Sequence, residues 1–252
     1  NNFARDEKVA TTCAALLGRL ADDAAAAALG RMKATVRSRA VLKQVDQALG
    51  VISERTGTPV WQLLESSVPT FGLDEGGRKA VVVGEVEADV SVDDDGRAYV
   101  TWRTSEGQVT PKPPASIAKT WASRIATLRA ETKELEKTLA TERSRLEALL
   151  IAPRSWTAVA WRARYLGHPL TRPWARRLLW QFEDATSRQV GMPVADAIEG
   201  LDGPIAMSPD TTVRPWHPIT ASPSEVEAWR VWLLDRHIRQ PFKQAFREVY
   251  RL

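Results

Sequence analysis

Along residues 5–56, Ala-rich apolar positions alternate with charged ones and no proline intervenes, a pattern that predicts about three short helices. The third is the sharpest. Val41, Val45, Leu49 and Ile52 recur at spacings of four and three and form one stripe, with Lys43, Asp46 and Gln47 pointing away. The small side chains from Ala24 to Ala28 would let neighbouring helices approach closely, as in HEAT-like helical hairpins. Residues 1–57 are therefore read as a helical-hairpin segment and residues 58–252 as a mixed α+β body.

A short helix, Val60 to Ser66, follows Gly57-Thr58-Pro59, and the period then changes to two. Val86, Ala88, Val90 and Val92 alternate with Glu87, Asp89 and Ser91; after Asp93-Asp94-Asp95-Gly96 the alternation resumes at Ala98, Val100 and Trp102. This predicts a half-buried antiparallel hairpin over 85–103. One long helix is expected over 115–150, with Trp121, Ile125, Leu128, Leu135, Leu139, Leu146 and Leu149 near a heptad spacing that Thr132 and Glu142 interrupt. Packing within its own domain is the expected use of that face, with intermolecular coiled-coil pairing as the alternative. Ile151-Ala152-Pro153 ends the helix.

Residues 156–182 read as two helices joined at Gly167-His168-Pro169-Leu170, with Trp174, Leu178 and Gln181 on one face. A Gly/Pro-rich stretch from Val190 to Pro218 follows, with strand-like pieces at Pro204–Met207 and Thr212–Arg214. Ser222-Pro223-Ser224-Glu225 is a capping box that opens a last helix, whose inner face is Val226, Trp229, Leu233 and Ile238. The fold class expected is α+β, mainly α. It comprises N-terminal helical hairpins, a small antiparallel β-sheet, one long helix and a C-terminal helical body.

Composition narrows the setting. With 44% hydrophobic residues, 252 residues can bury a sizeable core. A single cysteine, Cys13, excludes an intrachain disulfide and a thiolate metal cluster, which fits a reducing cytoplasm. No apolar run reaches the roughly 18 to 20 residues that span a bilayer, so no membrane role is expected. The chain opens without Met and stops just after an amphipathic segment, and is read as a fragment of a longer protein. A net charge of +4 and a pI near 9.4 permit an anionic partner without requiring one.

Motifs that would carry catalysis fail on chemical grounds. Gly72-Leu73-Asp74-Glu75-Gly76-Gly77-Arg78-Lys79 has the glycine spacing of a phosphate-binding loop, but no hydroxyl follows to hold magnesium and no strand precedes it. Ser91, Asp93, Asp95 and Gly96 imitate a calcium loop, yet Trp102 stands where a bidentate Glu is needed. The histidines, His168, His217 and His237, lie far apart, and Glu183-Asp184 reads as a solvated pair. No catalytic, cofactor-binding or metal residue is assigned, and no cofactor is expected. What remains is a basic-aromatic region from Arg154 to Arg188. Its Arg162, Arg164, Arg172, Arg176 and Arg177 are candidates for anion or nucleic-acid contact, because Arg pairs bidentately with phosphate and Trp stacks on bases. Against that, Trp is normally buried, so a packing role is favoured.

Several blocks occur in an order that resembles a known family. They are Val68-Pro69-Thr70-Phe71-Gly72, Pro111-Lys112-Pro113, Trp156, His168-Pro169-Leu170, the run Ala175 to Trp180, Trp216-His217-Pro218, and Gln240-Pro241-Phe242-Lys243-Gln244. Over about residues 60–252 the chain resembles bacterial proteins carrying the domain of unknown function 4132, including the molybdate metabolism regulator-like proteins. The His-Pro-Leu and Gln-Pro-Phe-Lys-Gln blocks are the most specific parts. His168, Pro169, Trp180, His217, Pro218, Gln240, Pro241 and Phe242 serve as the family markers. The resemblance implies a segment of a large, multidomain, cytoplasmic protein with helical-repeat segments, in some cases associated with a WGR domain; it brings no catalytic residues. Trp102-Arg103 lacks the intervening glycine of a WGR motif.

The first functional expectation is thus a non-enzymatic scaffold or regulatory interaction module, whose partners are other domains of the parent protein or a protein partner. A module that binds DNA or RNA through the arginines of 154–188 is the alternative. Part of an enzyme with an unrecognised site is the third.

Overall fold

The computed structural model describes residues 2–248 of the chain, which divides into two compact units, Asn1–Pro69 and Thr70–Leu252. In the first, helices α1 (Asn2–Leu20), α2 (Asp23–Thr35), α3 (Arg39–Thr56) and α4 (Val60–Ser66) enclose one core. The Asp22 carboxylate caps α2 by accepting from the Ala25 amide at 2.7 Å, and Gly57, at φ 68°, ends α3. The stripe of Val41, Val45, Leu49 and Ile52 is buried with Leu29. A Cβ at Gly18 would come within 2.8 Å of the Ala48 Cβ, so the glycine is what lets α1 approach α3. Because α4 packs here too, the unit runs past residue 57 to Pro69.

The second unit begins with an antiparallel four-stranded sheet in chain order, β1 (Arg78–Val83), β2 (Val86–Val92), β3 (Ala98–Arg103) and β4 (Val109–Thr110). The expected hairpin is its centre, with Val90 opposite Val100 and Ala88 opposite Trp102. The long helix is interrupted. Helix α5 (Ala115–Thr120) is separated from α6 (Ala122–Ala148) at Trp121, whose backbone leaves the helical region. Helix α6 buries Ile125, Leu128, Leu135, Leu139 and Leu146 within its own unit. Glu142, which interrupts the heptad, is buried as well, held at 2.7 Å by Arg145, which also reaches the Tyr165 hydroxyl. An isolated buried charge would be strongly unfavourable; here the polar position is a paired one.

The C-terminal region departs from expectation. It contains β5 (Trp156–Thr157), α7 (Ala158–Trp161), a π-helical turn at Arg162–Leu166, α8 (Arg172–Ala175), β6 (Trp180–Glu183), β7 (Arg188–Val194), β8 (Ala197–Gly200), β9 (Gly203–Pro204), β10 (Thr212–Pro215) and α9 (Pro223–Asp235). The strands form one antiparallel sheet in the order β5-β10-β6-β7-β8-β9. The α+β class therefore holds, but the body is built on a six-stranded sheet and is not the helical body expected. Trp180, Gln181 and Phe182 are all buried, so β6 shows no alternation, and a short apolar run buried on both faces cannot be told from a helix by period. Its neighbours Arg188–Val194 and Thr212–Pro215 supply the ladder that decides the matter. Gln181 consequently does not share a helical face with Trp174.

Aromatic rings fill the space beneath this sheet. Trp161 meets Trp180 and Phe182 edge-on with centroids 5.4 Å apart, Tyr165 meets Trp156 at 5.0 Å, and the Trp180 indole donates to the Ala175 carbonyl at 2.9 Å. Trp174 is covered by the tip of the β2–β3 hairpin. Gly96 sits there at φ 69°, and a Cβ would lie 2.1 Å from the Trp174 ring. A second cluster gathers Leu179, Met192, Trp216, Trp229 and Leu233. Of the capping box, the Ser222 half forms, its hydroxyl accepting from the Glu225 amide at 3.1 Å, whereas the Glu225 carboxylate accepts from the Trp216 indole at 3.1 Å and ties α9 to this cluster.

The segment Gln240–Ala245 closes the core. Fully buried Gln244 uses all four of its amide hydrogen-bonding positions. Its Oε1 accepts from the Leu179 amide and from Gln240 Nε2, and its Nε2 donates to the Leu179 and Trp216 carbonyls, all at 2.8–2.9 Å. Removing the amide by Gln244→Leu orphans the Leu179 amide and the Trp216 carbonyl, at about 1–3 kcal/mol each, while the Leu179 carbonyl keeps the Trp216 amide as donor, so a loss of a few kcal/mol is expected in denaturant unfolding. Trp180→Ala, in the same assay, is expected to cost about 3–5 kcal/mol; a near-neutral result for either would disprove the packing described.

Candidate functional site

Helix α7 starts at Thr157, whose hydroxyl accepts from the Ala160 amide at 3.3 Å, and widens after Trp161 into the π-helical turn, closed by the Gly167 amide donating to the Arg162 carbonyl at 2.8 Å. Such turns recur at functional sites. Here Trp161 and Tyr165 enter the aromatic core, whereas Arg162 and Leu166 line a cleft of about 600 Å³. Pro169 stops the helix, and buried Thr171 donates to the Arg164 carbonyl at 2.7 Å, fixing the start of α8 against the turn.

Arg172 and Arg176, one turn apart at the two ends of α8, line the same cleft as Arg162. Three of the five arginines singled out from the sequence thus converge. Arg172 is already oriented, donating from Nη1 to the Glu75 carbonyl at 2.8 Å. Among the described residues, the guanidinium groups of Arg162 and Arg176 make no hydrogen bond or ion pair. The carboxyl-bearing residues on the cleft are Glu75 and Asp196, both exposed and both on turns. Beside Asp196, Ala195 is held at φ 48°, a left-handed conformation that is unfavourable for a residue with a Cβ.

The other two arginines lie elsewhere. Arg164 does not line the cleft. Arg177 is a staple, donating to the Asp94 carbonyl, to the Asp95 carboxylate at 3.4 Å, to the Arg239 carbonyl at 3.1 Å and to the Pro173 carbonyl at 3.0 Å. It therefore joins the β2–β3 hairpin tip to α8 and to the closing segment. Glu75, Asp196 and Met207 on the cleft carry no signal in the sequence, because they come from two turns and an irregular segment distant along the chain.

The marker residues hold backbone in place. His168 Nδ1 accepts from the Leu170 amide at 3.2 Å beside buried Pro169, and His217 Nδ1 accepts from the Ile219 amide at 3.0 Å, capping the short 3₁₀ turn that begins at Pro218. Gln240 bonds to the Arg177 carbonyl and to Gln244, the Pro241 carbonyl accepts from Arg143 of α6, and Phe242 is buried. Trp180 lies at the centre of the aromatic core. His168, His217 and His237 do not converge, and among the described residues no group of three or more His, Cys, Asp and Glu side chains could hold a metal ion. In the Glu183-Asp184 pair, Glu183 meets Arg214 at 2.9 Å, and Thr186 and Ser187 bond to Asp184 and lower its pKa to about 2. No helix among the described residues is long and apolar enough to cross a membrane.

Residues 107–252 match a family model described as a domain of unknown function, DUF4132. Over 93% of its length the chain is 24% identical to the uncharacterized protein YehI of Escherichia coli strain K12, and it spans 20% of that relative's length. No solved structure matches.

Two measurements separate these roles. Burial, and after it the positive charge of Arg247, hold the His217 pKa below its ordinary 6.5, so the fold favours the neutral ring whose Nδ1 accepts from Ile219. Stability from this group is complete above pH 6.5 and is lost as the pH falls through the lower folded value. His217→Asn, which retains an acceptor, is expected to flatten the acid side of the stability profile; an unaltered profile would refute the assignment. In thermal unfolding without ligand, Arg177→Gln is expected to lower the midpoint, and Arg162→Gln to leave it unchanged.

Proposed function

The chain belongs to the family of the domain of unknown function DUF4132, and from that premise we propose that it is a non-enzymatic recognition module of a larger protein, one that holds an anionic group in the cleft of Arg162, Arg172 and Arg176. The observation that carries this reading is that three arginines from two elements line one cleft, the guanidinium groups of two of them without a hydrogen bond or ion pair among the described residues. A surface arginine normally sits in water or in an ion pair; several gathered around a cleft of this size are arranged to neutralise a bound anion. The length of the relative that it matches supports the larger-protein reading. In the first unit, α1 lies along α3 and α2 along α4, the contacts of one helical hairpin stacked on another, and this supports a HEAT-like character for that unit.

The competing occupant is the phosphate backbone of DNA or RNA, which the same arginines would meet. Arg177 is removed from either version, since its donors serve the fold.

Inorganic pyrophosphate and a single-stranded oligonucleotide are the probes. At low salt, calorimetry is expected to detect binding of at least one by the native chain, and a roughly ten-fold or greater weakening in the Arg162→Gln, Arg172→Gln, Arg176→Gln triple variant. Circular dichroism shows whether the variant remains folded. Identical behaviour of a folded variant and the native chain towards both probes would eliminate the cleft as an anion site.

A further inference from the structure

We infer that the cleft takes a small phosphorylated molecule of about mononucleotide size, gripped by a terminal phosphate between Arg162 and Arg176. This rests on the anion-recognition reading above and specifies the ligand.

The guanidinium groups are in different states of readiness. Arg172 is pre-oriented by the Glu75 carbonyl, whereas Arg162 on the π-helical turn and Arg176 at the end of α8 retain their donors. Each planar fork can pair with two phosphate oxygens. A terminal phosphate carries roughly −1.5 to −2 charge at neutral pH and offers three oxygens, enough to pair with more than one guanidinium fork. An internal phosphodiester carries one negative charge, and its chain must leave the site in two directions.

The exits disfavour a chain. Glu75, on the turn before β1, and Asp196, on the turn between β7 and β8, are carboxyl-bearing residues that line the same cleft as the arginines. They would repel the successive phosphates of a polymer. For a single phosphorylated molecule they are useful, because a carboxylate accepts hydrogen bonds from sugar hydroxyls or an exocyclic amine.

Size and lining point the same way. The cleft, at about 600 Å³, falls within the roughly 300–1,000 Å³ of small-molecule sites, far beyond the needs of a bare phosphate. Leu166, Pro193, Met207 and Pro209 give it apolar walls that an inorganic ion would leave unused and that a sugar or base ring would cover.

The test is a calorimetric titration of the full chain with adenosine monophosphate, ribose 5-phosphate, adenosine, inorganic phosphate and a single-stranded oligonucleotide without terminal phosphates. Adenosine monophosphate or ribose 5-phosphate is expected to bind at least ten-fold more tightly than adenosine and inorganic phosphate. Arg162→Gln, at an exposed residue without a protein partner, is expected to weaken that binding ten-fold or more without shifting the unfolding midpoint. Asp196→Asn is expected to narrow the preference for the nucleotide over inorganic phosphate. Inorganic phosphate binding as tightly as the nucleotide overturns the inference and leaves a simple anion site. Arg162-dependent binding of the oligonucleotide without binding of the two small phosphates overturns it in favour of a polymer, while the anion reading stands. If no probe binds in an Arg162-dependent way, both fail.

Discussion

One buried amide governs the second unit. Leu179 and Trp216 lie just beyond the ends of β6 and β10, where the Trp216 amide still donates to the Leu179 carbonyl at 3.1 Å but the Leu179 amide and the Trp216 carbonyl would otherwise be left without partners in an apolar interior. The side chain of Gln244 completes the ladder by presenting one carbonyl and one amino group with the same directionality as a peptide unit. A hydrophobic side chain could fill that volume but could not satisfy those groups. From this point the dependencies spread outward. Gln240 holds Gln244, Arg177 touches both the Gln240 segment and the hairpin tip, and that tip covers Trp174.

The same dependencies explain why the arginine-rich region divides as it does. Arg176 and Arg177 are adjacent in the chain, yet the turn at the end of α8 sends one to an open cleft and the other into a set of carbonyls. Their chemistry is identical, and only long-range neighbours distinguish them. The division ties the cleft's elements together: Arg177 links α8 to the hairpin tip and the closing segment, while the Thr171 hydroxyl bonds the π-helical turn to the start of α8.

Local signals were readable in the sequence. The hairpin alternation at 86–102, the N-cap at Ser222 and the stripe on α3 all encode structure within a few residues, and each appears where the sequence places it. Strand β6 was not readable, because Trp180 to Phe182 is buried on both faces and its pairing partners are defined elsewhere. Strand β1 begins with exposed Arg78 and half-buried Lys79, which obscure the apolar residues that follow. For the site, residue type was legible and location was not. The cation count of 154–188 was visible, whereas Glu75 and Asp196 reach the cleft only through the tertiary fold.

The closing segment also sets an order of assembly. Gln244 follows Leu179 by 65 positions and Trp216 by 28, so during synthesis both strands leave the ribosome well before the amide that completes them. Until it arrives, the Leu179 amide and the Trp216 carbonyl stay open beside the apolar cluster of Met192, Trp229 and Leu233, the kind of surface on which partly folded chains aggregate or bind chaperones. A nick between α9 and Gln240 would leave every strand in place and make the closing segment a separate chain, held only by the bonds of Gln244, Gln240 and their neighbours.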